Sequence, residues 1–190
     1  VLYNQIMDYC RQEHIAAGYQ EVRTPVILNE ELWQRSGHWD KYRENMYFTR
    51  IDEITHAVKP MNCPGGLLVF SNSAHSYREF PIKLCEFGLV HRHEKAGVLH
   101  GLFRVRQFTQ DDAHIFCLPD QIEEQIAEVI EFIMKVYRTF GFDQFEIELS
   151  TRPEQYIGSL EIWDRAEDAL QAVLDTQKYD YKLNPGDGAF

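Results

Sequence analysis

Between Lys83 and Cys117 the chain reads KLCEFGLVHRHEKAGVLHGLFRVRQFTQDDAHIFC, and this stretch limits the fold more than any other. Leu89, His91 and His93 alternate with Val90, Arg92 and Glu94; further on, Phe103, Val105 and Gln107 alternate with Arg104, Arg106 and Phe108. Period-two runs of this kind suit antiparallel strands. The intervening 94–101 is polar, with Gly97 near its middle and Gly101 at its exit, as a loop that bends or moves requires. A hairpin is therefore expected. A solvated sheet face explains charge on one side of a strand. Arg92, Glu94, Arg104, Gln110, Asp112 and His114 are a denser set of ionisable and hydrogen-bonding groups than such a face needs.

With 190 residues, 44% of them apolar, the chain is long enough for a full hydrophobic core and reads as one globular domain. No apolar run approaches the ~20 residues of a bilayer-spanning helix. The first residues also lack the basic start and small-residue cleavage site of a signal peptide. A cytoplasmic protein with no membrane partner is the expectation. Cys10, Cys63, Cys85 and Cys117 form neither a CxxC pair nor a secreted-type framework, so reduced thiols are expected. A formal net charge of −11 excludes a surface that is basic throughout. Between Arg78 and Arg106, however, Arg and Lys outnumber Glu, which points to a local anion site inside an acidic protein.

Along the chain, Leu2, Ile6, Tyr9 and Cys10 recur at helical spacing up to a stop at Gly18. Tyr19–Leu28 reads as one strand, at an edge or bent at Pro25, which has no N–H for a ladder. A short helix over Glu30–Trp39 runs into a Ser36-Gly37-His38-Trp39 turn, and 46–51 pairs with 55–59 around Asp52-Glu53. The prolines and glycines of 60–66 predict irregular backbone before a helix at 67–74. Ile122 to Phe140 carry one apolar stripe, closed by Gly141 and read as core packing. A strand at 145–149, a helix from Ile162 to Leu174 and a turn entering a strand at 184–190 complete the chain. The sum is an α+β fold, a mainly antiparallel sheet flanked by helices.

Three separated motifs together resemble the class II aminoacyl-tRNA synthetases. Residues 18–25, GYQEVRTP, are similar to motif 1; His91-Arg92-His93-Glu94 with Arg104, Phe108 and Asp112 is similar to motif 2. Met61-Asn62-Cys63-Pro64-Gly65, Ser36-Gly37-His38-Trp39 and Phe108-Thr109-Gln110-Asp111-Asp112-Ala113-His114 resemble the threonyl-specific branch. The resemblance runs from end to end. It implies ATP-dependent activation of L-threonine to threonyl-adenylate and transfer to the 3′ end of tRNA(Thr). Arg92 would then bridge the α-phosphate and the threonine carboxylate, using the planar fork of a guanidinium. Glu94 would accept from the adenine amino group, Phe108 stack on the ring, and Arg104 hold the γ-phosphate, with Mg²⁺ accompanying ATP. Loop 95–101 would close over ATP and touch the tRNA acceptor end. Threonine and valine are near-isosteres that an apolar pocket separates by only about a hundredfold. In the family a zinc ion, bound here by Cys63 and His114 plus a third ligand beyond Phe190, selects the hydroxyl. Met61, Gln110 and Asp112 would complete the pocket, and His38 would handle a proton during transfer. Motif 1 implies a homodimer.

Gly66 stands where histidine is frequent in the family, and Gln107 where glycine is frequent. The resemblance also places the third zinc ligand and the motif 3 arginine beyond Phe190, with editing and anticodon-binding domains elsewhere. The expectation is a single catalytic domain, 1–190, C-terminally incomplete and weak or inactive alone. The competing readings are a prolyl- or seryl-type relative and a regulatory paralogue that binds amino acid or tRNA-like RNA without charging it.

Overall fold

A computed structural model describes residues 1–189, which fall into two compact units that divide after Phe116. The first begins with helix α1 (Leu2–Ala16), ended by Gly18 at φ +82°. The expected single strand over Tyr19–Leu28 is instead two short strands in different sheets. β1 (Gln20–Glu21) pairs in parallel with Leu84 and Cys85, and β2 (Ile27–Asn29) is antiparallel to residues 56–58. Pro25 lies between them, where a residue without an N–H lets the chain leave one ladder for another. α2 (Glu30–Arg35) is capped by Asn29, whose side chain accepts from Glu31 N–H at 2.8 Å. Gly37, at φ +75°, then starts a second helix, α3 (His38–Tyr42), so His38 sits on a helix rather than in the expected turn. β3 (Tyr47–Ile51) and β4 (Ile54–Val58) form the expected hairpin. Its turn residues Asp52 and Glu53 both have positive φ, as a two-residue connection requires. Trp33, Met46 and Ala57 are the fully enclosed core under this β2-β4-β3 sheet.

α4 (Cys63–Ser71) starts earlier than expected: of the stretch 60–66 read as irregular, residues 60–62 precede it and 63–66 are its first turn. Pro64 suits that position because its missing N–H has no intrahelical partner there. Gly65 and Gly66 are dictated by neighbours: a Cβ on Gly65 would stand 2.8 Å from Thr24, and one on Gly66 3.3 Å from His114 Nδ1.

The central hairpin is present but displaced. β5 (Ile82–His91) and β6 (Gln107–Phe116) pair along their whole length, from Ile82 opposite Phe116 to His91 opposite Gln107. The alternating 103–106 belongs to the connection, which holds a short 3₁₀ turn (Ala96–Val98) and a bridge between His100 and Arg104. β5 is the middle strand of β1-β5-β6, with Leu84, Glu86, Gly88 and Val90 buried on one face and most of the other face half-buried, so alternation marks it weakly.

The second unit contains α5 (Ile122–Thr139), β7 (Ile147–Ser150), α6 (Leu160–Thr176) and β8 (Tyr181–Asn184). β7 and β8 pair in parallel across α6, a pairing the sequence reading omitted. Ser159 caps α6 by accepting from Ile162 N–H. The α5 stripe is not uniformly core: Met134 is buried, whereas Ile133, Tyr137 and Phe140 are exposed. The expected turn entering a strand at 184–190 is instead a turn leaving β8, with Gly186 at φ +80°; Phe190 lies outside the described residues. No helix among the described residues is long and apolar enough to cross a membrane.

Candidate functional site

Strand β6 sets the order of the site. Alternate residues share a face, so Phe108, Gln110, Asp112 and His114 form one row, with Asp111 and its hydrogen bond to His14 on the opposite face. At the loop end of this row Arg92, Glu94, Arg104 and Phe108 line a cavity of about 400 Å³, together with Leu102, Phe103 and Val105. Arg92 Nε donates to the Pro60 carbonyl at 3.1 Å, and its guanidinium lies over the Phe108 ring, 5.2 Å from the centroid. Glu94 is buried and accepts from Arg104 Nε at 3.2 Å. Arg106 grips the Glu94 carbonyl with two donors, at 2.8 and 3.0 Å, and so fixes the backbone on which that carboxylate stands. Leu102 and Phe103 stand at the loop tip, each 94% exposed.

At the other end of the row, donor atoms of Cys63, Asp112 and His114 all lie within 4.8 Å of one another. Cys63 comes from the first turn of α4, the other two from β6. Burial, and then the charge of Asp112, push the Cys63 thiol above its usual range, while the nearby Arg92 acts in the opposite direction. A thiol raised in this way is deprotonated most readily by a bound cation. The Cys63 thiolate and His114 imidazole suit zinc, which binds such donors at about 2.3 and 2.0–2.1 Å. Gly66 leaves room for the His114 ring. Between the two ends sits Gln110, whose Oε1 is buried and has no hydrogen-bond partner among the described residues. Met61 lies beside Asn62 just before α4 and is half-buried.

His38 is buried on α3, between the Trp33 and Tyr42 rings. Its Nδ1 is 2.9 Å from Ser36 Oγ, which donates its own proton to the Trp33 carbonyl. Nδ1 therefore carries the hydrogen and Nε2 the lone pair. Burial lowers the His38 pKa below its ordinary 6.5, opposed by the Ser36 contact, so the ring is neutral at neutral pH. On acidification the unfolded chain is protonated first. The stability this residue contributes is complete above the unfolded value and is lost as pH falls through the lower folded one. The unfolding midpoint of His38→Gln is expected to decline less than that of the unsubstituted protein between about pH 7 and pH 5 in denaturant titrations. Equal declines would assign the acid sensitivity elsewhere.

The sequence reading missed a second layer beneath the row. Lys59 and Glu86 are 1% and 3% exposed and paired at 2.7 Å. Thr24 joins them: its N–H and Oγ1 both reach Glu86 Oε1 at 2.9 Å, and Lys59 Nζ reaches Thr24 Oγ1 at 2.9 Å. Glu86 stands directly opposite Asp112 across the hairpin, so this buried cation balances one of two facing carboxylates. A lysine ending a strand reads as surface in sequence, and only the meeting of β1, β4 and β5 shows otherwise.

A cavity lined by Arg92 and Arg104 thus lies at one end of the β6 row and a Cys/Asp/His cluster at the other. The chain belongs to the class II tRNA synthetase core domain family (G, H, P, S and T), whose model matches residues 47–184. Within that family its likeness is to threonine–tRNA ligases: it is 62% identical over all 190 residues to the enzyme of Acetivibrio thermocellus. The chain spans about 30% of the length of that curated relative. Among solved structures it matches the RNA binding domain of threonyl-tRNA synthetase from Cryptosporidium parvum Iowa II. That match has a TM-score of 0.91 and 46% identity, and covers 100% of this chain and 47% of the other. Giardia lamblia prolyl-tRNA synthetase in complex with prolyl-adenylate shares the fold, at a TM-score of 0.65 and 20% identity over 80% of this chain and 30% of that one.

Proposed function

We propose that these residues are the aminoacylation core of a threonine–tRNA ligase, which activates L-threonine with ATP and transfers it to the 3′ end of tRNA(Thr). The observation that carries this reading is the row on β6, with a nucleotide-sized cavity at Phe108 and a thiol–carboxylate–imidazole cluster at His114. ATP enters the cavity as its Mg²⁺ complex. Arg92, oriented by Pro60, holds the α-phosphate against the threonine carboxylate; Arg104 takes the γ-phosphate, Glu94 the adenine amino group, and Phe108 the ring face. Two anions are brought together where added charge is stabilised by fixed donors. Cys63 and His114 would hold zinc, which when bound would supply Lewis-acid chemistry for recognition of the amino acid. Asp112 accepts from the hydroxyl, and Gln110 Oε1, without a hydrogen-bond partner among the described residues, is an acceptor for an amino N–H. Met61 closes the pocket, and neutral His38 serves as proton acceptor during transfer. The exposed Leu102 and Phe103 suit contact with the acceptor end. Both units, 1–190, belong to one catalytic domain of a cytoplasmic enzyme. Exposed Leu2, Tyr3 and Ile6 on α1 suit a homodimer through the motif 1 region.

The test is amino-acid-dependent ATP–pyrophosphate exchange by the protein at its natural length, with threonine, serine, valine and proline. Threonine is expected to be preferred, and Cys63→Ala to lose both zinc retained through gel filtration and threonine activation. Preference for proline or serine would move the chain to another branch. ATP binding without exchange by any amino acid would favour a non-charging role.

A further inference from the structure

Asn62 immediately precedes α4, where an asparagine side chain ordinarily accepts from a backbone N–H two or three residues on. It makes no such cap. Its Nδ2 donates to Asp112 Oδ2 at 3.2 Å instead. The side chain is 1% exposed and fills a notch over Gly88, where a Cβ would stand 2.0 Å from Asn62 Oδ1. Gly88 pairs with Gln110, and two residues along Glu86 pairs with Asp112, so the strand is cut back just where the carboxamide must enter. Asn62 Oδ1 is buried with no hydrogen-bond partner among the described residues. A residue serving α4 alone would cap it; this one forgoes the cap and leaves an acceptor unpaired in order to reach Asp112.

We infer that Asn62 is a positioning residue for amino-acid recognition: by donating to Oδ2 it locks the Asp112 carboxylate so that Oδ1 faces a substrate hydroxyl. The torsion that turns a carboxylate is broad and roughly two-fold, and a carboxylate without an anchor samples both faces. Asp112 stands within 4.8 Å of the Cys63 and His114 donors, so an unanchored group would turn to any cation they hold. The anchor reserves it for the substrate. This inference rests on the threonine reading above and deepens it.

The test pairs kinetics with a structural readout in the zinc-loaded protein at its natural length. Asn62→Ala is expected to raise the threonine KM in ATP–pyrophosphate exchange about tenfold, the effect of one hydrogen bond to a charged group. Preference over valine should fall by a similar factor, with the ATP KM unchanged. Gly88→Ala, which keeps Asn62 but forces its carboxamide aside, should shift the threonine KM in the same direction. By NMR, the Asn62 side-chain amide protons should exchange slowly and lose that protection in Asp112→Ala. An unchanged threonine KM in Asn62→Ala, or a parallel rise in both KM values, overturns the inference. Absence of threonine-dependent exchange in the unsubstituted protein removes the ligase reading instead. The NMR result then decides whether Asn62 holds Asp112: protection that depends on Asp112 retains the anchor, and protection indifferent to Asp112 removes it.

Discussion

Lys59→Met is expected to destabilise the first unit by about 3–5 kcal/mol, the cost of leaving one member of a buried ion pair without its partner. Among the described residues Lys59 is the cation paired with the Glu86 carboxylate, and the pair is almost fully enclosed. Removing it leaves Glu86 facing Asp112 across the hairpin, and like charges directly opposite on a sheet repel. The backbone shows how central the position is: Lys59 N–H donates to the Val26 carbonyl and the Lys59 carbonyl accepts from His91 N–H, which places the residue where the two sheets of the unit meet. Denaturant titrations should show a lower midpoint with an unchanged slope. Lys59→Met/Glu86→Gln should recover part of the loss, since a glutamine oxygen can still accept from Thr24 while no charge remains buried. If the double variant were as unstable as the sum of the two single ones, packing rather than charge would explain the lysine.

Much of this architecture can be read from local pattern, and what cannot shares one cause. α1, α5, α6 and the β3–β4 hairpin follow from periodicity and turn chemistry because neighbours in sequence decide them. Tyr19–Leu28 has one extended pattern but two partners, and no local signal says that the chain changes sheets at Pro25. The start of α4 at Cys63 was hidden because Gly65 and Gly66 look like helix breakers. They are glycine because Thr24 and His114 lie against them. The β5–β6 ladder was displaced for a related reason: a strand buried on one face and half-buried along most of the other carries little of the alternation that marks strands. Resemblance supplied the candidate residues at the site, since the 51-residue gap between Cys63 and His114 carries no spacing signal. The structure brings Cys63, Asp112 and His114 together, and Arg92, Glu94, Arg104 and Phe108 together, as separate ends of one strand row. Asn62, Lys59, Glu86, Thr24 and Arg106 were missed because each acts on another residue of the site, and that relation exists only in three dimensions.

Arg92→Ala should lower threonine-dependent ATP–pyrophosphate exchange by on the order of 10³-fold, as removal of one fixed donor group from developing charge does. The side chain is well prepared for that role. Nε is spent on Pro60 and the guanidinium plane rests over Phe108, so its orientation is set before any substrate arrives. Arg92→Lys should lose nearly as much, because an ammonium group has neither the Nε that meets Pro60 nor a planar fork for two anions. Loss should fall on kcat more than on the ATP KM if the arginine serves mainly the charge that develops during attack, and on the ATP KM with kcat unchanged if it only binds ATP. Zinc content should stay at the unsubstituted level, since Arg92 is not among the Cys63, Asp112 and His114 donors. A lysine variant with near-normal exchange would show that a point charge suffices and that the alignment by Pro60 and Phe108 is incidental. Lost zinc in either variant would mean that Arg92 supports the Cys63 end of the row as well as the nucleotide, which its opposing electrostatic effect on that thiol makes the alternative to exclude.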